Sequence, residues 1–325
     1  MKKKGSKGKK SSKGKKSSKG KKGSKGKKAV KTDPSLGLLD EHGRDLSTQL
    51  TFLRRTYCSN CFQCFTYPNT DVIDQISSCL ETQTPFHNLI IPSPLYREGS
   101  EALFNSLTHW QHLQSISIWK ASLQDLGTYH LSNFLAHNCT VTYLDLSSNN
   151  LNIGACEALG SCLNDLNSTL KELILDYNPI GDSGLCSLIH HLRMNVSIKK
   201  LSMRYCDIGN IGGIIIGRDL LGEDSSSTIE ELNLQGNEVG VPGILSIGDS
   251  LAYNTTLTKL IVSDSSLSSD VAVFQVFCTN AVKCEPLKHI DLSGTEIGPE
   301  SGSEFILLAG NKEESSLFGS ASPCW

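Results

Sequence analysis

The chain has 325 residues, with 31 Lys and Arg against 33 Asp and Glu, for a formal net charge of −2. That near-neutrality is a cancellation: residues 1–31 hold 16 lysines and no acid, which leaves 15 bases against 33 acids in the remainder. No continuous apolar stretch with a small-residue cleavage site follows the basic start, and no run reaches membrane-spanning length, so neither a secretory nor a transmembrane reading is supported.

Residues 1–31 repeat the unit Ser-Ser-Lys-Gly-Lys-Lys and place no apolar side chain between Met1 and Ala29. With nothing to bury, such a segment does not offset the entropy of ordering, and a disordered tail is expected. Its lysines, among them Lys9, Lys10, Lys15, Lys16, Lys21, Lys22, Lys27 and Lys28, are separated by Gly and Ser and suit a polyanion. Acidic tubulin tails, nucleic acid and anionic lipid all qualify, as does the chain's own acidic remainder. No aromatic is interleaved for stacking on bases.

Residues 32–85 show no clear period and read as a capping region. From Phe86 the pattern Leu-x-x-Leu-x-Leu recurs: a degenerate copy at Phe86/Leu89/Ile91, then Leu113/Ile116/Ile118, Val141/Leu144/Leu146, Leu170/Leu173/Leu175 and Ile198/Leu201/Met203, with further starts at Ile229, Leu257 and Leu287. The seven starts from Leu113 are spaced by 28, 29, 28, 31, 28 and 30 residues. Each copy reads as a short strand, a turn and an amphipathic helix; in the third, Leu173 and Leu175 alternate on the strand and Gly184 to Leu192 supplies the helix. Asn149, Asn178 and Asn237 share one phase, where a buried amide can satisfy backbone groups as the chain leaves the strand. Cys206, Ser265 and Thr295 occupy that phase elsewhere, and Ala121 predicts a weaker turn.

These repeats resemble the ribonuclease-inhibitor-like class of the leucine-rich-repeat family over residues 86–310. The resemblance implies an α/β solenoid, a horseshoe with a concave parallel sheet and convex helices. The shorter stretch Leu113-Gln-Ser-Ile-Ser-Ile-Trp119, followed by Leu123 and Leu151, resembles a ciliary leucine-rich-repeat-containing protein and points toward the axoneme. The expected organisation is a lysine-rich tail at 1–31, a capping region with a degenerate repeat at 32–112, repeats at 113–310 with a cap near Leu308, and a C-terminal tail at 311–325.

Side chains alternate across a strand, so the positions between the leucines face the concave side. The position after the third apolar residue reads Trp119, Ser147, Asp176, Arg204, Gln235, Ser263 and Ser293. The next reads Lys120, Ser148, Tyr177, Tyr205, Gly236, Asp264 and Gly294. Asp176 is thus expected to face Arg204, and Tyr177 to lie beside Tyr205. With Trp119, Tyr143 and Asp145 they form a candidate partner-binding patch of hot-spot composition.

Twelve cysteines are present, and Cys139, Cys156, Cys162, Cys186 and Cys206 fall within apolar repeat positions at irregular spacing, which suggests a reduced compartment. Cys58, Cys61 and Cys64, with Cys79 and His87 beyond, contain part of a zinc-ligand pattern but no second Cys-x-x-Cys pair; the spacing also suits one face of a helix, and no metal is expected. Asn138, Asn167, Asn195 and Asn254 head Asn-x-Ser/Thr triplets. All four precede the first apolar residue of a repeat, so a shared turn explains them without a sugar. There is no phosphate-binding loop, nucleophile elbow or His-Glu-x-x-His, the adjacent His190 and His191 point apart on a helix, and Glu230-Glu231 reads as solvated.

The expected function is a non-catalytic protein–protein interaction scaffold without a cofactor, with a protein partner on the concave face and an acidic surface such as tubulin tails for the lysine segment. A cytoplasmic, cytoskeletal or ciliary setting is expected. The alternatives are a small-GTPase regulator, because Ran GTPase-activating proteins have similar repeats although with an acidic C-terminal tail this chain lacks, and a nucleolar RNA-associated protein in the nucleus.

Overall fold

A computed structural model describes residues 39–295 apart from 41, 166–168 and 266–270. The lysine-rich segment, Asn167, the expected cap near Leu308 and the C-terminal tail lie outside the described residues.

Two helices, α1 (Leu46–Gln63) and α2 (Thr70–Thr82), come first. Each starts at a side-chain cap: Asp45 accepts from the Thr48 N–H at 2.8 Å, and Asn69 accepts from the Val72 N–H at 3.4 Å. Strand and helix then alternate as β1 (Asn88–Ile91), α3 (Tyr96–Leu107), β2 (Ser115–Ile118), α4 (Gln124–His137), β3 (Tyr143–Asp145), α5 (Ile153–Asp165), β4 (Glu172–Ile174), α6 (Gly181–Leu192), β5 (Lys200–Ser202), α7 (Asn210–Ile215), β6 (Glu231–Asn233), α8 (Gly240–Leu251), β7 (Lys259–Ile261), α9 (Val271–Lys283) and β8 (His289–Asp291). The eight strands form one parallel sheet in chain order. Packed helices need ~8–10 Å and paired strands only ~4.8 Å, so the stack bends with the sheet on its inner side.

Register is set by one buried apolar residue per strand: Leu89, Ile116, Leu144, Leu173, Leu201, Leu232, Leu260 and Ile290 are successive partners. A one-residue slip in any strand would turn that residue to water and expose a side chain whose burial contributes roughly 1.5–3 kcal/mol. The outer edge of β1 is closed by Gln75, whose amide nitrogen donates to Ile90 O at 2.6 Å and whose oxygen accepts from the Ile90 N–H at 2.9 Å.

The asparagines at the turns work across repeats. Asn178 Oδ1 accepts from the Asn149 and Leu151 N–H groups at 2.8 and 3.1 Å, and its Nδ2 donates to the carbonyls of Leu146, Leu175 and Asp176. Asn149 and Asn237 repeat this arrangement toward Ala121/Leu123 and Cys206/Ile208. At Ala121, where a weaker turn is expected, Asn149 of the following repeat satisfies the Ala121 N–H at 3.0 Å and the Ala121 carbonyl accepts from the Leu95 N–H at 2.9 Å, while the donations that Asn149, Asn178 and Asn237 make to carbonyls have no counterpart from the alanine side chain.

Asn138, Asn195 and Asn254 occupy the opposite end of each repeat. Their Oδ1 atoms accept from the N–H groups two and three residues on, and their Nδ2 atoms donate back to Trp110, Leu163 and Leu221 of the preceding repeat. These amides are turn-forming groups that tie neighbouring repeats.

Helix α6 begins at Gly181, three residues before the expected Gly184. The repeat with the 31-residue spacing absorbs its excess by widening: α7 continues as a π-helical segment, Ile216–Leu221. The Ser250 and Ser246 hydroxyls of α8 donate to Gly217 O and Ile214 O at 2.6 and 3.1 Å. That close approach leaves no room for a β-carbon at Gly213, which would sit 2.7 Å from the Gly243 Cα.

Candidate functional site

The residues between the leucines line a shallow trough of about 300 Å³ across β3 to β7, which includes Asp145, Glu172, Asp176, Lys200, Arg204, Glu231 and Lys259. One column, two residues after the first apolar residue of each repeat, reads Glu172, Lys200, Glu231, Lys259 along paired register positions. Lys200 pairs with Glu231 at 2.9 Å, and one residue earlier Lys199 pairs with Glu230 at 3.1 Å. The Glu231 carboxylate, first by its hydrogen bond and then by its charge, holds the Lys200 ammonium above its usual range. Among the described residues Glu172 and Lys259 make no ion pair, so this column ends in a carboxylate and an ammonium without a salt-bridge partner, although the Glu172 charge adds to raising Lys200; Asp145 on β3, which also lines the trough, makes no ion pair either. Glu230 and Glu231 stay partly solvated, as the sequence suggested, with side chains 48% and 37% exposed, and they are also engaged across strands.

Asp176 is placed beside Arg204 as expected, but it is not a surface group: its side chain is only 2% exposed, against 38% for Arg204. Its carboxylate accepts from Arg204 Nε at 2.7 Å, from the Arg204 N–H at 2.9 Å and from Ser202 Oγ at 2.7 Å. Burial opposes the Arg204 charge, yet the hydrogen bond and charge of Asp176 outweigh it and raise the guanidinium above its ordinary value. The correction has a simple cause. The Arg204 side chain lies over the carboxylate and takes it out of water, leaving Arg204 as the group available to a partner.

Tyr177 and Tyr205 stack with ring centroids 5.1 Å apart and planes 8° from parallel, and the Arg204 guanidinium lies 5.8 Å from the Tyr177 ring. The Tyr205 hydroxyl donates to Asp264 at 3.2 Å, and Gln235 Nε2 donates to the same carboxylate oxygen at 2.8 Å. That hydrogen bond, followed by burial and the Asp264 charge, raises the Tyr205 phenol. Both rings remain substantially exposed. Their backbones share a left-handed turn column, with φ of 56° at Tyr177 and 50° at Tyr205, where the next repeats use Gly236 at 71° and Asp264 at 52°. A tyrosine there costs ~1–2 kcal/mol that a glycine would not.

Trp119 is exposed with Lys120 5.9 Å from its ring, but it lies in the repeat before Ser147 and Ser148, which separates it from the tyrosine stack. Tyr143 and Asp145 are half-buried on β3; Asp145 Oδ1 accepts from the Ser147 N–H and hydroxyl at 2.9 and 2.6 Å. Burial first, then Asp145, Glu172 and Asp176, raise the Tyr143 phenol. The structure therefore joins Asp176, Arg204, Tyr177 and Tyr205, places Tyr143 and Asp145 beside the trough and leaves Trp119 apart. It adds Glu172, Lys200, Glu231 and Lys259, which a reading of that column across repeats would have found.

The partial zinc pattern does not become a ligand set. Cys58 is exposed on α1 while Cys61 is buried, its thiol pushed up to about 11 by burial, and no group of three metal-ligating side chains occurs among the described residues. Burial likewise pushes Cys156, Cys162 and Cys206 up to about 12. Cys139 and Cys186, expected at apolar positions, are exposed instead. No described helix is long and apolar enough to cross a membrane.

A family described as Leucine Rich repeat matches at residues 137–160, 166–188, 195–216, 225–248 and 283–305. The chain is similar to mouse ribonuclease inhibitor, 29% identical over 177 residues that cover 54% of this chain and 38% of the relative. It is also similar to mouse "NACHT, LRR and PYD domains-containing protein 12", 29% identical over 53% of this chain and 16% of that protein. Chicken "Leucine-rich repeat-containing protein 45" is 31% identical over 35% of this chain and 17% of its own length. The matches thus span well under half the length of these curated relatives.

Proposed function

From a chain that belongs to the leucine-rich-repeat family, we propose a non-catalytic protein–protein interaction scaffold whose concave face holds a protein partner. One observation carries this reading: the tyrosine stack beside Arg204 borders a trough with carboxylates that make no ion pair, Asp145 and Glu172, toward one end and the ammonium of Lys259, likewise without an ion pair, at the other. Aromatics beside a guanidinium supply contact area, and charges of opposite sign at the two ends supply register.

The lysine segment, 16 cations in 31 residues, strengthens attachment by engaging an acidic surface such as tubulin tails. Two moderate contacts on one chain then act together. The setting proposed is cytoplasmic, on the cytoskeleton or axoneme, in keeping with the short ciliary resemblance around Leu113–Trp119.

The test is expression in ciliated cells of the full chain, a version lacking residues 1–31, and Glu172→Lys/Lys259→Glu, reading location and cross-linked partners together. Axonemal location lost on truncation, with partners lost in the charge-reversed variant, supports both contacts. Nucleolar accumulation refutes the filament setting in favour of nucleic acid. An unchanged set of cross-linked proteins in the charge-reversed variant removes the trough from the mechanism.

A further inference from the structure

The largest exposure of apolar side chains lies away from the concave face, at the end of α1. Phe62, Phe65 and Tyr67 are 84%, 98% and 92% exposed, three rings within six residues. Large apolar groups bared together mark a contact with something other than water.

The turn that carries them is well tied. The Cys64 N–H donates to Asn60 O at 2.8 Å and the Thr66 N–H to Cys61 O at 2.9 Å, which closes the helix. Beneath it, the buried Tyr57 hydroxyl accepts from the Asn69 N–H at 3.0 Å, and Asn69 Nδ2 donates to Ser93 Oγ at 2.9 Å. Phe65 itself has φ 55°, in the left-handed position after a helix where glycine is the usual occupant. A phenylalanine held there projects its ring from a fixed platform, against a steric preference that glycine would satisfy.

Charge complements these rings. No acid lies between Asp45 and Asp71, and Arg54 and Arg55 are exposed on α1; the Arg44 guanidinium, 4.8 Å from the half-exposed Phe52 ring, is paired with Asp40 at 2.6 Å. Glu98 and Glu101 of α3 come near the turn, where they add to burial in raising the Cys64 thiol. The turn itself thus faces two acids, and the positive charge lies further back, on Arg54 and Arg55 of α1 and, in the sequence, on the 16 lysines of residues 1–31, which precede α1 by 14 residues.

We infer that the α1 end of the solenoid docks on an anionic lipid bilayer, with Phe62, Phe65 and Tyr67 entering the interfacial layer while Arg54, Arg55 and the lysine segment meet the headgroup charge. Lysines alone are satisfied by any polyanion. Three fixed aromatic tips call for an apolar layer directly beneath the charge, which an anionic bilayer supplies and an extended acidic polypeptide such as a tubulin tail does not, and this favours lipid at this end. Either signal alone gives marginal attachment, and the two together give a stable one. The inference goes beyond the scaffold reading and does not use the concave face; it shares with that reading only the lysine segment, which it assigns to lipid headgroups.

The test is co-sedimentation of the full chain with vesicles of pure phosphatidylcholine and with vesicles containing about a third phosphatidylserine, as used for surface-potential binding. Binding to the anionic vesicles alone, weakening with salt, is expected. Phe62→Ser/Phe65→Gly should lower that affinity roughly tenfold or more, since two partly buried rings are removed, while its urea midpoint stays at or above the parent value. Deleting residues 1–31 should weaken binding and flatten its salt dependence. The inference is overturned if the double variant binds as tightly as the parent, if anionic vesicles are not bound, or if the chain without lipid forms a dimer that Phe65→Gly dissolves, which would make a second copy the occupant.

Discussion

Replacing Asn178 by Ala tests whether the turn amides hold the stack together. Asn178 is 1% exposed, so its hydrogen bonds are made out of water. The substitution removes the acceptor of the Asn149 and Leu151 N–H groups and the donor to three carbonyls. The carbonyls keep other partners: Leu146 O retains Asn149 Nδ2, Leu175 O retains the Cys206 thiol, and Asp176 O retains the Ser148 N–H. The cost therefore falls on two buried N–H donors left unsatisfied, at ~1–3 kcal/mol each, or about 2–6 kcal/mol together. Against a typical domain stability of ~5–15 kcal/mol that is a large fraction. Urea unfolding followed by circular dichroism and by tryptophan fluorescence should show the loss, and amide exchange should lose protection at Asn149 and Leu151 in particular. A loss below about 1 kcal/mol, or intact protection at those two amides, would refute the assignment of the turn asparagines as the ties between repeats.

Three further outcomes are expected. Gly236→Ala should lower the thermal midpoint by an amount worth ~1–3 kcal/mol, because its β-carbon would stand 2.2 Å from the Tyr205 ring at a φ of 71°; a neutral result would mean the ring is not held over Gly236. In native protein, iodoacetamide should modify the exposed Cys58, Cys139 and Cys186 long before Cys156, Cys162 and Cys206, whose thiols are buried and pushed up to about 12; mass spectrometry that finds the buried set labelled first would contradict the core assignment. Burial lowers the pKa of His112, with the charge of His87 adding, and of His130, where Glu101 opposes and Arg97 adds. Their folded-state values lie below the unfolded value of about 6.5, so the stability they support is complete above that pH and is lost as pH falls through the folded values. The urea midpoint should be lower at pH 5 than at pH 7.5, and a midpoint that rises on acidification would reverse the sign of this argument.

The leucine phase of the repeats was enough, without coordinates, to establish the solenoid and the order of its strands. A period of about 28 residues with a buried apolar residue in phase in every strand admits one economical stacking, because each repeat must cover the apolar face of its neighbour. The same phase placed Asp176 against Arg204 and Tyr177 beside Tyr205, since equal positions in adjacent parallel strands meet. It also identified the shared role of Asn138, Asn195 and Asn254 before the turns. What periodicity could not decide is how side chains from different repeats share water. Arg204 folds over Asp176 and desolvates it, Lys200 pairs with Glu231 while Glu172 and Lys259 make no ion pair, and Asn149 satisfies the Ala121 N–H from the following repeat. The spacing of Cys58, Cys61 and Cys64 allowed both a ligand set and a helix face; only the packing of α1, which buries Cys61 and Tyr57 and turns Phe62 and Phe65 to solvent, chose between them. Period is a property of the chain, whereas desolvation depends on which atoms of distant residues come to rest on a given group, and that is settled only when the repeats pack.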